Sequence, residues 1–172
     1  MHNKVVHRVA TTLHELGAAV LRFNFRGVGR SEGRHDQGQG ELEDARAALD
    51  WMRARFPDRE RWVAGFSFGS WIAARLAASE HEVRRLVLVA PPVGTSDFSV
   101  LRGAAVTKLV VQGTHDEHCP PAALAREFPT WAEPKTLRMV EGATHFFDRQ
   151  LGTLSEVVVA MLGGEDASNP RP

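Results

Sequence analysis

Residues 61–71 read R-W-V-A-G-F-S-F-G-S-W, and few backbone arrangements can accommodate that string. Trp62–Phe66 has the composition of a buried strand, and the W-I-A-A-R-L-A-A that follows Ser70 has that of a helix. Between them stands Gly65-Phe66-Ser67-Phe68-Gly69. A strand that turns directly into a helix drives backbone against backbone, so glycine is expected on both sides of the turn, where a Cβ would collide with the neighbouring chain. Ser67 then projects at the helix N-terminus, where the Phe68 N–H and the positive end of the helix favour an oxyanion. The pattern is that of a nucleophile elbow, with Ser67 as candidate nucleophile.

The same spacing recurs at Gly29-Arg30-Ser31-Glu32-Gly33, but the polar run R-H-D-Q-G-Q-G follows it. With no helix opening after it, Ser31 reads as a turn or cap residue. The preceding Arg26-Gly27-Val28-Gly29 lacks the spacing and the acidic partner of a dinucleotide fingerprint, so no cofactor is expected.

Patterning along the chain alternates helices and strands. Val6, Val9, Leu13 and Leu16 recur at helical spacing and Gly17 stands where a C-cap belongs, so a helix is expected from Asn3 to Gly17. Ala18–Phe25 is expected to be a strand. Glu41–Phe56 is expected to be an amphipathic helix stopped by Pro57. Leu86–Ala90, Leu109–Gln112 and Thr136–Val140 read as strands, and Pro121–Phe128 and Leu151–Leu162 as helices. Strands that are apolar on both faces, alternating with helices, predict a three-layer α/β/α sandwich around a mainly parallel sheet. The 172 residues, 43% hydrophobic, suffice for one domain over 1–163. The remaining 164–172 are expected to form a disordered tail.

Lys+Arg and Asp+Glu both number 21. Without net charge or a clustered basic stripe, nucleic-acid binding is not expected. No apolar run approaches the ~18 residues of a membrane helix and no leader pattern opens the chain, so no membrane partner is expected. The single cysteine, Cys119, excludes an internal disulfide, and a cytoplasmic location is the expectation.

In parallel sheets, active residues gather at the C-terminal ends of strands. Those ends here carry Arg26, Ser67, Asp116 and His145, with Asp97 a little downstream of its strand. A serine hydroxyl needs a base to remove its proton, and the base needs an acid to orient it. His145, in G-A-T-H-F-F after a bend at Gly142, is the candidate base. Asp116 follows the turn at Gly113 and is the candidate acid, with Asp97 as the alternative. The run His115-Asp116-Glu117-His118-Cys119 contains zinc-ligand types, but neighbours on one turn seldom converge on one ion and no metal is expected. Phe66, Trp71 and Phe146 are candidate walls of a substrate site.

With N-K-V-V-H, L-R-F-N-F-R-G-V-G-R-S-E-G, A-G-F-S-F-G-S, V-A-P-P, V-V-Q-G-T-H-D-E and G-A-T-H-F-F in hand, the chain resembles the α/β-hydrolase superfamily, and most of all its small lidless bacterial predicted hydrolases. The resemblance implies a Ser67–His145–Asp116 triad, an oxyanion donor at Phe68 N–H, and a small ester or thioester as substrate. It also implies that further strands normally precede this stretch. The loop after the third of them supplies a second oxyanion donor, so the chain is expected to be an N-terminally incomplete version. The sheet must then close a gap, admit water or borrow a strand, and a homodimer is one expected assembly. A catalytically impaired or non-catalytic protein of the same fold is the alternative function.

Overall fold

The computed structural model describes residues 3–163, so the tail expected at 164–172 lies outside the described residues. Asn3 opens the first helix, its Oδ1 accepting from the N–H of Val5 and Val6, and α1 (Lys4–Glu15) ends just before Gly17 as its periodicity predicts. Then follow α2 (Gln39–Arg55), β1 (Arg61–Phe66), α3 (Phe68–Ser79), β2 (Val83–Val89), β3 (Thr107–Gly113), α4 (Pro121–Glu127), β4 (Lys135–Val140) and α5 (Leu151–Gly163). Two short 3₁₀ turns, Ser99–Arg102 and Phe128–Thr130, carry no periodic signal and escape the sequence reading.

The four strands form one parallel sheet in the order β1-β2-β3-β4. Its inner strands are apolar on both faces because each face carries a helical layer. Leu86 and Leu88 of β2 and Val110 of β3 pack with Ala45, Leu49, Ile72 and Leu76 of α2 and α3. Their alternates Val87, Val89, Leu109 and Val111 pack with Val5, Val9, Leu154 and Val158 of α1 and α5. This is the expected three-layer sandwich.

One expected strand does not form. Ala18–Phe25 runs without secondary structure, and among the described residues no backbone–backbone hydrogen bond involves Ala19 to Asn24. Its apolar composition suits a strand, but a strand exists only through a ladder partner, and among the described residues β1 pairs only with β2. A groove of about 1090 Å³ lies between this segment and β1. Residues of both segments line this groove.

Beyond it, Arg26 turns the chain: its backbone N–H donates to Asp44 Oδ2 at 2.8 Å and its guanidinium grips the same carboxylate, with Nη2 2.8 Å from Oδ1. Ser31 occupies a turn, its Oγ donating to Asn24 O. The connection from β2 to β3 lies against the core, where Phe98 and Leu101 are buried. Among the described residues, no helix is long and apolar enough to cross a membrane.

Candidate active site

The elbow forms as read. β1 ends at Phe66, α3 begins at Phe68, and Ser67 between them holds φ 50° and ψ −125°, a left-handed φ that is rare for a residue with a side chain. Two backbone bonds fix it: Ser67 N–H donates to Val89 O at 2.9 Å, and Ser67 O accepts from Ser70 N at 2.8 Å. A Cβ on Gly65 would overlap Gly69 O and stand 2.6 Å from Ser70 Cα, so strand and helix can approach only over a bare Gly65. The second glycine departs from expectation. A Cβ on Gly69 would meet nothing nearer than the Phe25 ring at 4.0 Å. Gly69 contributes the backbone that crowds Gly65, and its own side is open.

The loops after β3 and β4 are joined. Thr114 N–H donates to Val140 O, His115 N–H to Ala143 O, and Gly142 N–H to Thr114 Oγ1 at 2.8 Å. Gly113 permits this contact, since a Cβ there would overlap Ala143 O. The joined loops deliver Asp116 and His145 to the same place, both buried.

His145 Nδ1 lies 2.9 Å from Asp116 Oδ2 and 3.1 Å from Oδ1, and His145 Nε2 lies 3.1 Å from Ser67 Oγ. With the proton on Nδ1, the imidazole donates to the carboxylate and presents a lone pair to the serine hydroxyl. Asp116 is itself held by its neighbours. Oδ1 accepts from the N–H of His118 at 2.9 Å and of Cys119 at 2.8 Å, and Oδ2 accepts from Gln112 Nε2 at 3.0 Å. Such an arrangement can take a proton from Ser67 and stabilise the resulting imidazolium.

Asp97, the alternative acid, is elsewhere. It is exposed, and its carboxylate accepts from Ser99 N–H and Oγ, bonds that hold its pKa below the usual carboxylate value. Of the run 115–119, Asp116 and Cys119 turn inward while His115, Glu117 and His118 are exposed. Asp116, Cys119 and His145 offer ligand atoms within 4.8 Å of one another. The Asp116 oxygens are already committed to three N–H donors and His145. Burial pushes the Cys119 thiol up to about 12, so in the metal-free protein it is protonated near neutral pH.

Phe66 and Phe146 flank the imidazole, with ring centroids 4.8 and 5.0 Å from that of His145, and the His118 ring lies 5.0 Å from it. Trp71 is apart from this group: its Nε1 donates to Asp97 O and Arg75 lies over its ring. The Phe68 ring packs on Phe25, His35 and Trp71, while its N–H stands at the start of α3 beside Ser67. Sequence reasoning missed Gln112, His118 and the Cys119 N–H. For Gln112 a signal existed, a lone amide in the apolar run L-V-V-Q-G. The roles of His118 and Cys119 depend on how one loop folds around Asp116.

An elbow serine after β1, an acid after β3 and a histidine after β4, on a parallel sheet between two helical layers, are the attributes of one fold family. The family model described as alpha/beta hydrolase fold matches residues 2–107, and the chain belongs to that family. It is 42% identical over 120 residues to an uncharacterised protein of Rickettsia prowazekii, covering 67% of this chain and 50% of that one. A structure of an alpha-beta serine hydrolase homologue from Coxiella burnetii superposes with a TM-score of 0.90 at 42% identity, covering 94% of this chain and 77% of that one. A serine hydrolase without lid from Xanthomonas campestris gives 0.88 at 40% identity, over 100% of this chain and 77% of that one. The chain spans about half the length of the curated relatives it matches.

Proposed function

We propose that the chain is a serine hydrolase that cleaves small carboxylic esters or thioesters through an acyl-enzyme. The observation that carries this reading is the unbroken path Asp116–His145–Ser67, with contacts of 2.9 and 3.1 Å. Ser67 Oγ attacks the carbonyl carbon as its proton passes to His145 Nε2, and the C–O π pair moves onto the carbonyl oxygen beside Phe68 N–H. Collapse expels the alkoxide or thiolate, which takes the proton from His145, and leaves Ser67 acylated. Water then repeats the sequence in reverse roles, releasing the acid and restoring Ser67. Asp116 keeps the imidazole in the tautomer both halves require.

Phe66 and Phe146, beside His145, are the acyl-chain walls in this reading, and Trp71, farther along α3, would touch only a larger substrate. The short connection between β2 and β3 supports an open site that favours short acyl chains. Fluorophosphonate labelling is the test. A label that localises to Ser67, survives Ser31→Ala and vanishes in Ser67→Ala supports the reading; a folded protein that takes no label overturns it. The open edge of β1, the strand that carries Ser67, favours one alternative, a catalytically impaired protein of the same fold. That reading predicts a folded chain without label.

A further inference from the structure

The imidazole of His145 is bordered by a second imidazole, that of His118, to which the acyl-transfer steps assign no part. The His118 backbone N–H donates to Asp116 Oδ1 at 2.9 Å. That bond ties His118 to the acid, so its side chain starts from a fixed place beside the reacting atoms. Its ring centroid lies 5.0 Å from that of His145 and 6.2 Å from that of Phe146, at interplanar angles of 64° and 70°. Edge-to-face contacts of this kind are a favoured arrangement of aromatic rings and hold the imidazole at the rim.

His118 differs from its neighbours there in being both polar and unengaged. Asp116 is buried and committed to His145, Gln112 and two backbone N–H groups. Phe66 and Phe146 present only hydrocarbon. His118 is exposed, and among the described residues neither of its ring nitrogens has a hydrogen-bond or ion-pair partner. A neutral imidazole carries one N–H donor and one acceptor nitrogen, so both are free for a ligand. Charge nearby does not select an ion: Lys4, whose Nζ lies 5.9 Å from the Phe146 ring centroid, is paired with Asp148, and the exposed Glu117 precedes His118.

The chemistry of acyl transfer determines which part of a substrate reaches this ring. The carbonyl oxygen turns toward Phe68 N–H, and the leaving atom stands within hydrogen-bond reach of His145 Nε2, roughly 3 Å away, to receive its proton. Beside the imidazole, Phe146 lies between the other two rings, 5.8 Å from Phe66 and 6.2 Å from His118. The acyl walls assigned to Phe66 and Phe146 thus end where His118 begins. A polar group two carbons beyond the leaving atom lies roughly 3–4 Å from it, a reach that matches the 5.0 Å spacing of the two imidazoles.

We propose that His118 forms a leaving-group subsite, selecting esters and thioesters whose alcohol or thiol carries an uncharged hydrogen-bonding group, a hydroxyl or an amide, two carbons from the scissile bond. The proposal rests on the hydrolase reading and adds the half of the substrate that the acyl walls do not touch. The bonded group departs with the leaving alcohol or thiol. His118 therefore assists acylation of Ser67 and has no partner during hydrolysis of the acyl-enzyme.

Two acetate esters of nearly equal size make the test, 2-hydroxyethyl acetate and propyl acetate, which differ by a hydroxyl in place of a methyl. Both leave the same acetyl group on Ser67, so the ratio of their kcat/KM values reports acylation and is insensitive to the fraction of active protein. Acetate release by the wild-type chain is expected to favour the hydroxyethyl ester by about two- to tenfold, the worth of one hydrogen bond. His118→Phe keeps an aromatic ring and the backbone bond to Asp116, and should bring the ratio to about one. His118→Gln restores a donor and an acceptor and should recover most of the preference. His118→Ala replaces the phenylalanine variant if the larger ring disturbs the loop. A side chain that only props the loop would lower both esters together and leave the ratio where it was. That result, or a wild-type ratio of about one, overturns the proposal and leaves the hydrolase reading in place. A folded chain that turns over neither ester also overturns it, and fluorophosphonate labelling of Ser67 then tells whether the hydrolase reading falls as well.

Discussion

His145 Nε2 lies 3.1 Å from Ser67 Oγ although 78 positions separate the two residues in the chain. The meeting follows from sheet geometry. Parallel strands end at the same side of the sheet, so β1 and β4 deliver their following loops to one rim even though two strands lie between them. The joined loops after β3 and β4 then carry His145 back over the rim to Ser67.

Replacing Ser67 with alanine should lower ester turnover by several powers of ten, while Ser31→Ala should leave the chemical step unchanged. Hydrolysis of p-nitrophenyl acetate by the two variants makes the comparison. Substantial turnover in Ser67→Ala would remove the elbow from the mechanism.

Asp116→Asn should reduce kcat by about 10⁴, because the amide no longer enforces the tautomer that accepts the serine proton. Asp97→Asn, at an exposed carboxylate bonded to Ser99, should have little effect. Matched kinetics in which the two rank the other way would transfer the orienting role to Asp97.

The two glycines of the elbow should respond differently. Gly65→Ala forces a methyl into Gly69 O and Ser70 Cα and should cost about 1–3 kcal/mol or more. Gly69→Ala adds a methyl to open space within a helix and should be neutral or slightly stabilising. Thermal melts of both variants decide the point, and equal losses would refute the asymmetry.

Much of this architecture was legible because the signals were local. The elbow string, the helical spacing of α1 and the apolar runs of β2 and β3 depend on residues within one element. Ser67, Asp116 and His145 were readable because each follows a recognisable strand end. Ala18–Phe25 misled for a physical reason: its composition states that the segment can pair, and among the described residues no strand pairs with it. Gly69 misled because a pattern does not say which of two glycines provides the space and which needs it. The bonds from Cys119 and His118 N–H to Asp116 were invisible because backbone donors are the same in every residue but proline.

The Arg26–Asp44 pair should give the fold an acid-sensitive component. The hydrogen bond from Arg26 holds Asp44 below its ordinary pKa, despite partial burial. A lowered folded-state pKa means that the unfolded chain binds more protons as the medium acidifies. The stabilisation is therefore complete above the unfolded carboxylate pKa of about 3.9 and is lost as pH falls through the lower folded value. At neutral pH, Asp44→Asn should cost about 1–2 kcal/mol, between an exposed pair and a buried charge-assisted bond. Melting curves from pH 7 to pH 2 should show the difference between wild type and variant shrinking below about pH 4. A difference that stays constant across that range would contradict the assignment.

Cys119 should be inert in the native protein. The thiol is buried and pushed up to about 12, so iodoacetamide near pH 8 should alkylate it only after denaturation. Mass spectrometry before and after urea treatment reads the outcome, and ready labelling of the folded chain would show that the loop around Asp116 opens.

Ser67 follows a strand that, among the described residues, has a single ladder. On heating, β1 can fray from β2 while β2, β3 and β4 keep their mutual pairing, and the bond from Ser67 N–H to Val89 O lies within the part that frays. Thermal inactivation should then run ahead of thermal denaturation. Residual activity would fall at temperatures where far-UV circular dichroism still reports a folded sheet, and activity would return on cooling from that interval because the core that re-seats β1 was never lost.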